Sequence, residues 1–391
     1  MKLRIEVIAI GDCKNYNYGE EIDVKILHIN SYYSSSSFYK NLYDNQIENG
    51  LDIDVFVPIS SSVILNNSDL GKYTTVSVNH GKYDRILFFL KHNKIYKDII
   101  RRFKIGEYSV IHAHSLFSNG YIAYKLKQEY GVPYIVAVRN TDVNVFFKYM
   151  VHLRKLGIQI LQEADKVIFL SKSYRDFVIQ KYVPEKFKKE IFNKAEIIPN
   201  GIDDFWFNNK GNIRNTPDKN NLKLLYVGAI NKNKNIIITI KAIKILQNEG
   251  YNINFTVVGK VEDKSIFNQI KNLSFITYIT PKPKEELINI YRANDIFIMP
   301  SKTETFGLVY AEAMSQGIPV IYTKGQGFDG QFEEGIVGYS VQHDSAEEIV
   351  ERVKAILDDY KTISNNCINK VDKFDWDEIA KGYYSIYEDA L

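Results

Sequence analysis

The stretch "IFIMPSKTETFGLVYAEAMSQGIPVIYTK", residues 296–324, places two short apolar runs on either side of a helix-like segment. "IFIMP" stops at Pro300 and reads as the end of a buried strand, and "IPVIYT" opens a second run after Gly317. Between them, "FGLVYAEAMSQ" has the composition of a helix, with Gly317 placed to end it. Strand, loop, helix, strand is a βαβ unit, and such a unit implies a parallel sheet. Two glutamates stand inside it, Glu304 and Glu312, with seven residues between them. Glu304 falls in the loop before the first helical turn. At about 100° per residue Phe306, Val309, Tyr310 and Ala313 share a face, and Glu312 falls on the opposite side. In open α/β sheets ligands gather at the carboxyl ends of strands, where helix N-termini point. Glu304, the N–H groups of Phe306–Leu308 and Glu312 are therefore expected around one crevice. The plainer alternative is an amphipathic helix whose glutamates face water.

The same alternation runs through most of the chain. "VKILHIN" (24–30), "DIDVFVP" (52–58), "SVIHAHS" (109–115), "PYIVAVR" (133–139), "KVIFLS" (166–171) and "AEIIPNG" (195–201) form one series of strand-like runs. "LKLLYVG" (222–228), "INFTVVG" (253–259), "SFITYIT" (274–280) and the two runs of the opening stretch form a second. Between the series, "DDFWFNNKGNIRNTPDKNN" (203–221) is polar and charged, the character of a linker or surface loop. A chain of 391 residues is too long for one ordinary domain. The expected architecture is α/β, two doubly wound Rossmann-like domains facing each other across a crevice. The first spans 1–203 and is completed by a terminal helix, 376–391; the second spans 204–375. Residues 1–23 hold a strand candidate, "MKLRIEVIAIG", too charged for a signal peptide, and are otherwise not placed.

Composition narrows the function. Hydrophobic content of 45% with 25% charge suits a soluble globular protein, and a formal charge of +3 gives no reason to expect a nucleic-acid partner. Cys13 and Cys367 make neither a disulfide framework nor a zinc spacing, which fits a reducing cytoplasm. "LYVGAINKNKN" is a strand ending in Gly228, followed by Lys232 and Lys234, an arrangement suited to a diphosphate. The acidic pairs in "DID" (52–54) and "DWD" (375–377) read as solvated, and no metal site is expected. His112 and His114 in "IHAHS" are read as facing opposite sides of a strand end, one of them lining the crevice.

In this order and spacing the motifs resemble the family-4 glycosyltransferases of the GT-B fold, over roughly residues 24–391. "PSKTETFGLVYAEAMSQGIPVI" is similar to the family's E-x(7)-E signature, "IIPNGID" to its interdomain segment, and "FDWDEIAKGYYSIY" to its closing helix. Three departures stand out. Ala229 occupies the place where the family often has an arginine after the phosphate-loop glycine. The first loop, "NSYYSSSSFYKN" (30–41), carries a run of four serines, Ser34–Ser37, after Ser31, and no glycine. Arg139 stands where many members have a histidine beside the reacting centre.

The resemblance implies a retaining transferase that moves a sugar from a nucleotide diphosphate, most simply a UDP-sugar, to a glycan or lipid-linked saccharide in surface polysaccharide synthesis. Glu304, Lys234 and Arg139 are the expected catalytic residues. Gly228, Lys232, Gly259, Thr305, Phe306, Gly307, Leu308 and Glu312 would bind the donor, Glu304 addressing the sugar and Glu312 the ribose. Ser34, Ser35, His114, Asn140 and Asp142 would serve the acceptor. No cofactor beyond the nucleotide sugar and no metal is expected. The place is the cytoplasm, with peripheral membrane contact through the basic, apolar segments 85–104, 146–155 and 181–192. Two other readings fit less of the pattern: a non-catalytic sugar-nucleotide-binding or partner-regulating subunit, and a GT-B sugar-nucleotide epimerase.

Overall fold

The computed structural model describes residues 24–35, 38–63, 69–81, 84 and 87–391. The strand candidate at the start of the chain and Cys13 lie outside the described residues. Two compact units emerge. One runs to Phe169 and takes in Ile179–Glu196 and Ala380–Leu391; the other comprises Leu170–Val178 and Ile197–Ile379.

The first unit is built on β1 (Lys25–Ile29), β2 (Asp52–Ser60), β3 (Thr74–His80), β4 (Val110–Ala113), β5 (Tyr134–Ala137), β6 (Lys166–Phe169) and β7 (Ala195–Ile197). Their order across the sheet is β3-β2-β1-β4-β5-β6-β7. Neighbours pair in parallel from β3 through β6. The inner strands are buried almost end to end, as β1 and β4 show, because helices cover both faces of such a sheet. Hence their near-continuous apolar sequences.

The second unit carries β8 (Leu222–Val227), β9 (Ile253–Val258), β10 (Ile276–Ile279), β11 (Ile296–Ile298), β12 (Val320–Thr323) and β13 (Gly338–Val341), in the order β10-β9-β8-β11-β12-β13, again parallel. Both sheets are therefore doubly wound, as expected. Chain order reverses between β1 and β4 in one and between β8 and β11 in the other. Those reversals leave a crevice at the carboxyl ends of the strands, where connections depart in opposite directions.

Segment 203–221 is not a free linker. Asp203 caps a short helix, Asp204–Asn208, by accepting from the Phe205 N–H, and Trp206 is buried against Tyr291 at 5.5 Å between ring centroids. The Gly211 N–H donates to the Ser315 carbonyl, and the Arg214 guanidinium donates to the carbonyls of Arg292 and Asn294. Polar composition misleads here, because this segment satisfies its own backbone by packing on the second unit. The terminal helix, Trp376–Glu388, is docked as its aromatic content suggests. In the first unit, its Tyr387 hydroxyl meets the Gln46 amide at 3.1 Å and His112 Nδ1 at 2.8 Å.

Candidate active site

At the reversal of the second sheet, the loop leaving β8 and the loop leaving β11 are tied together by asparagines. Asn233 donates through Nδ2 to the Thr303 carbonyl (2.8 Å) and accepts through Oδ1 from the Thr303 N–H (3.1 Å). Its own carbonyl accepts from the Lys302 N–H. Asn235, held at φ +58°, donates through Nδ2 to the carbonyls of Pro300 (3.1 Å) and His343 (2.5 Å). Short polar side chains tolerate that left-handed backbone better than branched ones. The consequence is a close ion pair: Lys234 Nζ lies 2.5 Å from Glu304 Oε2, with both side chains largely shielded from water. Ser301 Oγ stands 3.4 Å from the same oxygen, and Glu304 Oε1 accepts from the Thr305 N–H at 3.1 Å.

The sequence sets Lys234 before a diphosphate; in the fold its charge answers Glu304. Lys232 is exposed beside it. Gly228 ends β8, and Gly259 ends β9 so close by that a Cβ on Gly259 would lie 1.8 Å from the Gly228 carbonyl oxygen. Only glycine permits that approach.

Gly307, at φ +76°, opens the helix Leu308–Ser315. No side chain caps it and its first turn holds no acid, so the nearest carboxylate to its positive end is that of Glu304, in the loop before it. Thr305 and Leu308 are half-buried beside it. Phe306 points inward, 5.5 Å from the Phe374 ring centroid, and serves packing. Glu312 does not face open water. Its Oε2 accepts from the Tyr291 hydroxyl at 3.0 Å, and burial raises its carboxyl from 4.5 to about 7.

The first unit holds the remaining expected residues, with corrections. His112 and His114 do not face opposite sides. Residues two apart on a strand share a face, and the two rings stack at 4.1 Å. With His28 they form a fully buried cluster: His28 Nδ1 lies 3.0 Å from His114 Nε2, and Tyr43 Oη lies 3.2 Å from that same nitrogen. Burial lowers all three imidazoles, His28 to about 3. His114 is therefore a neutral core residue here, and His28 joins it although nothing in the sequence marks it. His28, His112 and His114 are also the one group of metal-ligating residues within reach of each other among the described residues.

Asp142 does not pair with the Arg139 guanidinium. It accepts from three backbone N–H groups, those of Arg139 (2.8 Å), Leu116 (3.0 Å) and Phe117 (3.0 Å). Burial still raises its carboxyl to about 6. Arg139 is buried among tyrosines, hydrogen-bonded to Tyr383 and near Tyr39 and Tyr32. Asn140 accepts from Asn144 Nδ2 at 2.5 Å. The side chain of Ser35 lies outside the described residues. Ser34 lines a cleft of about 690 Å³ at the carboxyl ends of β1 and β2, with Ser31, Tyr32, Ser60, Phe88, His92 and Thr141 among its walls. A π-helix, Asp142–Phe147, contributes Val145 and Phe146 to the same cleft. Such helices are rare and recur at functional sites.

Known proteins share this framework. Residues 209–374 match the family model for glycosyl transferases group 1, and residues 35–204 match that for glycosyltransferase family 4. An uncharacterised glycosyltransferase of Methanocaldococcus jannaschii is 26% identical over 317 residues, 79% of this chain and 82% of the relative. A D-inositol 3-phosphate glycosyltransferase of Pseudarthrobacter chlorophenolicus is 26% identical over 285 residues, 68% of this chain and 66% of that one. Among solved structures, Anabaena HepE in complex with UDP and glucose superposes with a TM-score of 0.64 at 16% identity, covering 93% of this chain and 98% of that one.

Proposed function

We propose that this chain, a family-4-like glycosyltransferase with the GT-B fold, takes its sugar from a nucleoside diphosphate held at the β8–β11 reversal. The observation that carries the reading is the Lys234–Glu304 pair at 2.5 Å, set by the asparagine-tied loops, with Glu312 one turn into the helix that follows. The UDP seen in HepE supports a UDP-sugar as donor. The diphosphate lies against Lys234, Lys232 and the uncapped start of the helix Leu308–Ser315, where N–H dipoles favour anions. The ribose hydroxyls donate to Glu312, and the sugar meets Glu304.

Transfer proceeds with retention. The acceptor hydroxyl attacks the anomeric carbon on the face from which the diphosphate leaves, and its proton passes to a departing phosphate oxygen. Lys234 stabilises the charge that develops on the leaving group, and Glu304 keeps the ammonium in place and accepts from the sugar hydroxyls. Transfer is read as metal-independent, with Lys234 meeting the diphosphate charge, and turnover should survive a chelator. The acceptor is a saccharide bound through the cleft of the first unit, with Ser34 and Asn140 beside it. Its place in surface polysaccharide synthesis rests on the sequence resemblance alone.

Isothermal titration of UDP and of UDP-sugars against Glu304→Ala and Glu312→Ala tests the division of roles. Glu312→Ala should weaken free UDP about tenfold or more. Glu304→Ala should leave UDP affinity within about threefold while turnover falls on the order of a hundredfold, as when a preorganised charge is lost. Equal loss of UDP affinity in both variants contradicts the assignment.

A further inference from the structure

The histidine cluster of the first unit takes no part in the donor site, yet its polar atoms are incompletely satisfied. Strands β1 and β4 pair in parallel with His28 beside His112, and His114 follows two residues later on the same face. All three side chains are fully buried. One ring nitrogen from each lies within 4.8 Å of the others. His28 Nδ1 and His114 Nε2 face each other at 3.0 Å, and the Tyr43 hydroxyl of the helix Phe38–Glu48 comes within 3.2 Å of that His114 nitrogen. His112 Nε2 has no hydrogen-bond partner. A buried polar atom left unpaired calls for a reason, and a bound ion is one.

The atoms around the cluster are arranged as a metal site needs them. His112 Nδ1 lies 2.8 Å from the Tyr387 hydroxyl, and with Nδ1 donating there, Nε2 keeps its lone pair for a ligand. Gln46, which donates to the same hydroxyl, lies against His28. Burial keeps all three rings neutral, the form in which imidazole ligates. Metal–nitrogen bonds of about 2.0–2.1 Å set tetrahedral ligands roughly 3.4 Å apart. The His28–His114 and Tyr43–His114 spacings are already close to that, and closing the third turns the His112 ring out of its stack on His114. Imidazole nitrogens favour zinc and its first-row neighbours over magnesium or calcium. The rings bring no negative charge, and Arg139 is near enough to act on His112 and His114. A divalent ion there draws in the Tyr43 oxygen as phenolate and releases its proton.

We infer that His28, His112 and His114, with Tyr43 as fourth ligand, hold a zinc-type transition ion that ties β1, β4 and the helix Phe38–Glu48 together in the core of the first unit. Four protein ligands and complete burial make it a structural ion, with no open position for a substrate. The inference goes beyond the glycosyl-transfer reading and does not rest on it. An ion so enclosed is not drawn from the folded chain by a chelator, so metal retention and turnover are separate readouts.

Metal analysis of the full chain tests it. Expressed without a histidine tag in medium supplied with Zn2+, then dialysed against EDTA, the chain should retain about one zinc per molecule. Growth on Co2+ should instead give the visible absorption of a tetrahedral cobalt site. His112→Asn keeps a polar atom near the Nδ1 position for Tyr387, and His28→Gln keeps one near Nε2 for Gln46, while each removes the ligating nitrogen. Each variant should hold about tenfold less metal than the parent, or none. His152→Gln, at the surface, should hold as much as the parent. Tyr43→Phe should shift the cobalt spectrum, and an unshifted one strikes Tyr43 from the ligands. A parent chain that holds neither zinc nor cobalt overturns the inference, whether or not the variants fold. Metal kept in full by folded His112→Asn and His28→Gln also overturns it, since the ion then lies elsewhere.

Discussion

Glu312 carries a conflict that its position explains. Its helix is buried on most sides, through Tyr310, Ala311, Ala313 and Met314, so the carboxyl is desolvated and held near 7 by burial. Tyr291 offers one donor, too little to restore the charged form. The proton is therefore retained by the folded chain between pH 4.5 and 7 while the unfolded chain has lost it. The stability that this raised value represents is complete below about 4.5 and is lost as pH rises through about 7. Each tenfold gain in proton affinity on folding is worth ~1.4 kcal/mol, which limits the whole effect to about 3 kcal/mol. Glu312→Gln keeps an acceptor for Tyr291 and removes the titration. Chemical denaturation of this variant should show a flatter stability profile from pH 5 to 8 than the parent. A nucleotide whose ribose needs the carboxylate should also expel the proton. Titration of UDP at pH 6.5 in buffers of different ionisation enthalpy should then report proton release, absent in Glu312→Gln. An equal proton count in both proteins would place the titrating group elsewhere. Gly259 gives a simpler test at the same scale. Because a Cβ there would lie 1.8 Å from the Gly228 carbonyl oxygen, Gly259→Ala forces two strand ends apart. It should cost on the order of 2 kcal/mol or more in urea unfolding, beyond the range of ordinary surface changes.

At the scale of elements, the site depends on loops that belong to different strands. The bonds of Asn233 to Thr303 and Lys302 fix the β8 and β11 loops against each other, and Lys234 meets Glu304 as a result. Asn233 is exposed, so its contribution lies in positioning more than in stability. Asn233→Ala should lower kcat about tenfold or more, since small displacements of catalytic groups are costly. Its denaturation midpoint should move little, by no more than about 1 kcal/mol for two solvent-reached hydrogen bonds. A large loss of stability with kcat intact would make Asn233 a structural tie only. The segment after Asp203 behaves in the opposite way. Trp206 is buried, and its loss leaves a cavity beside Tyr291. Trp206→Ala should cost about 3–5 kcal/mol, the range for deleting a buried aromatic. A free linker would show almost none of that.

For the whole molecule, the sequence revealed the inner strands and left two strands unseen, β3 and β13. Both are sheet edges. Edge strands need no continuous apolar run, and "TTVSVNH" and "GYSV" offer none. Glu304 and Glu312 were legible because their spacing sits within one βαβ unit. The Lys234–Glu304 pair was not, since seventy residues separate the partners and only parallel packing of β8 and β11 joins them. The histidine cluster and the Tyr291 hydroxyl were hidden for the same reason. The closing segment gives the last test at this scale. Ala380, Tyr383, Ile386 and Tyr387 are buried within the first unit, with Tyr387 bonded to Gln46 and His112, and Tyr383 to Arg139. Full burial of large side chains is worth about 1.5–3 kcal/mol each, so ending the chain at Ile379 should remove several kcal/mol from the first unit. The second unit, with its own core, loses none of these contacts. Calorimetry of the truncated chain should show the first unit melting earlier or already unfolded. UDP should still raise the melting temperature of the remaining transition, by mass action on the folded second unit. Loss of both transitions together would mean that the units fold as one and that the donor site depends on the terminal helix.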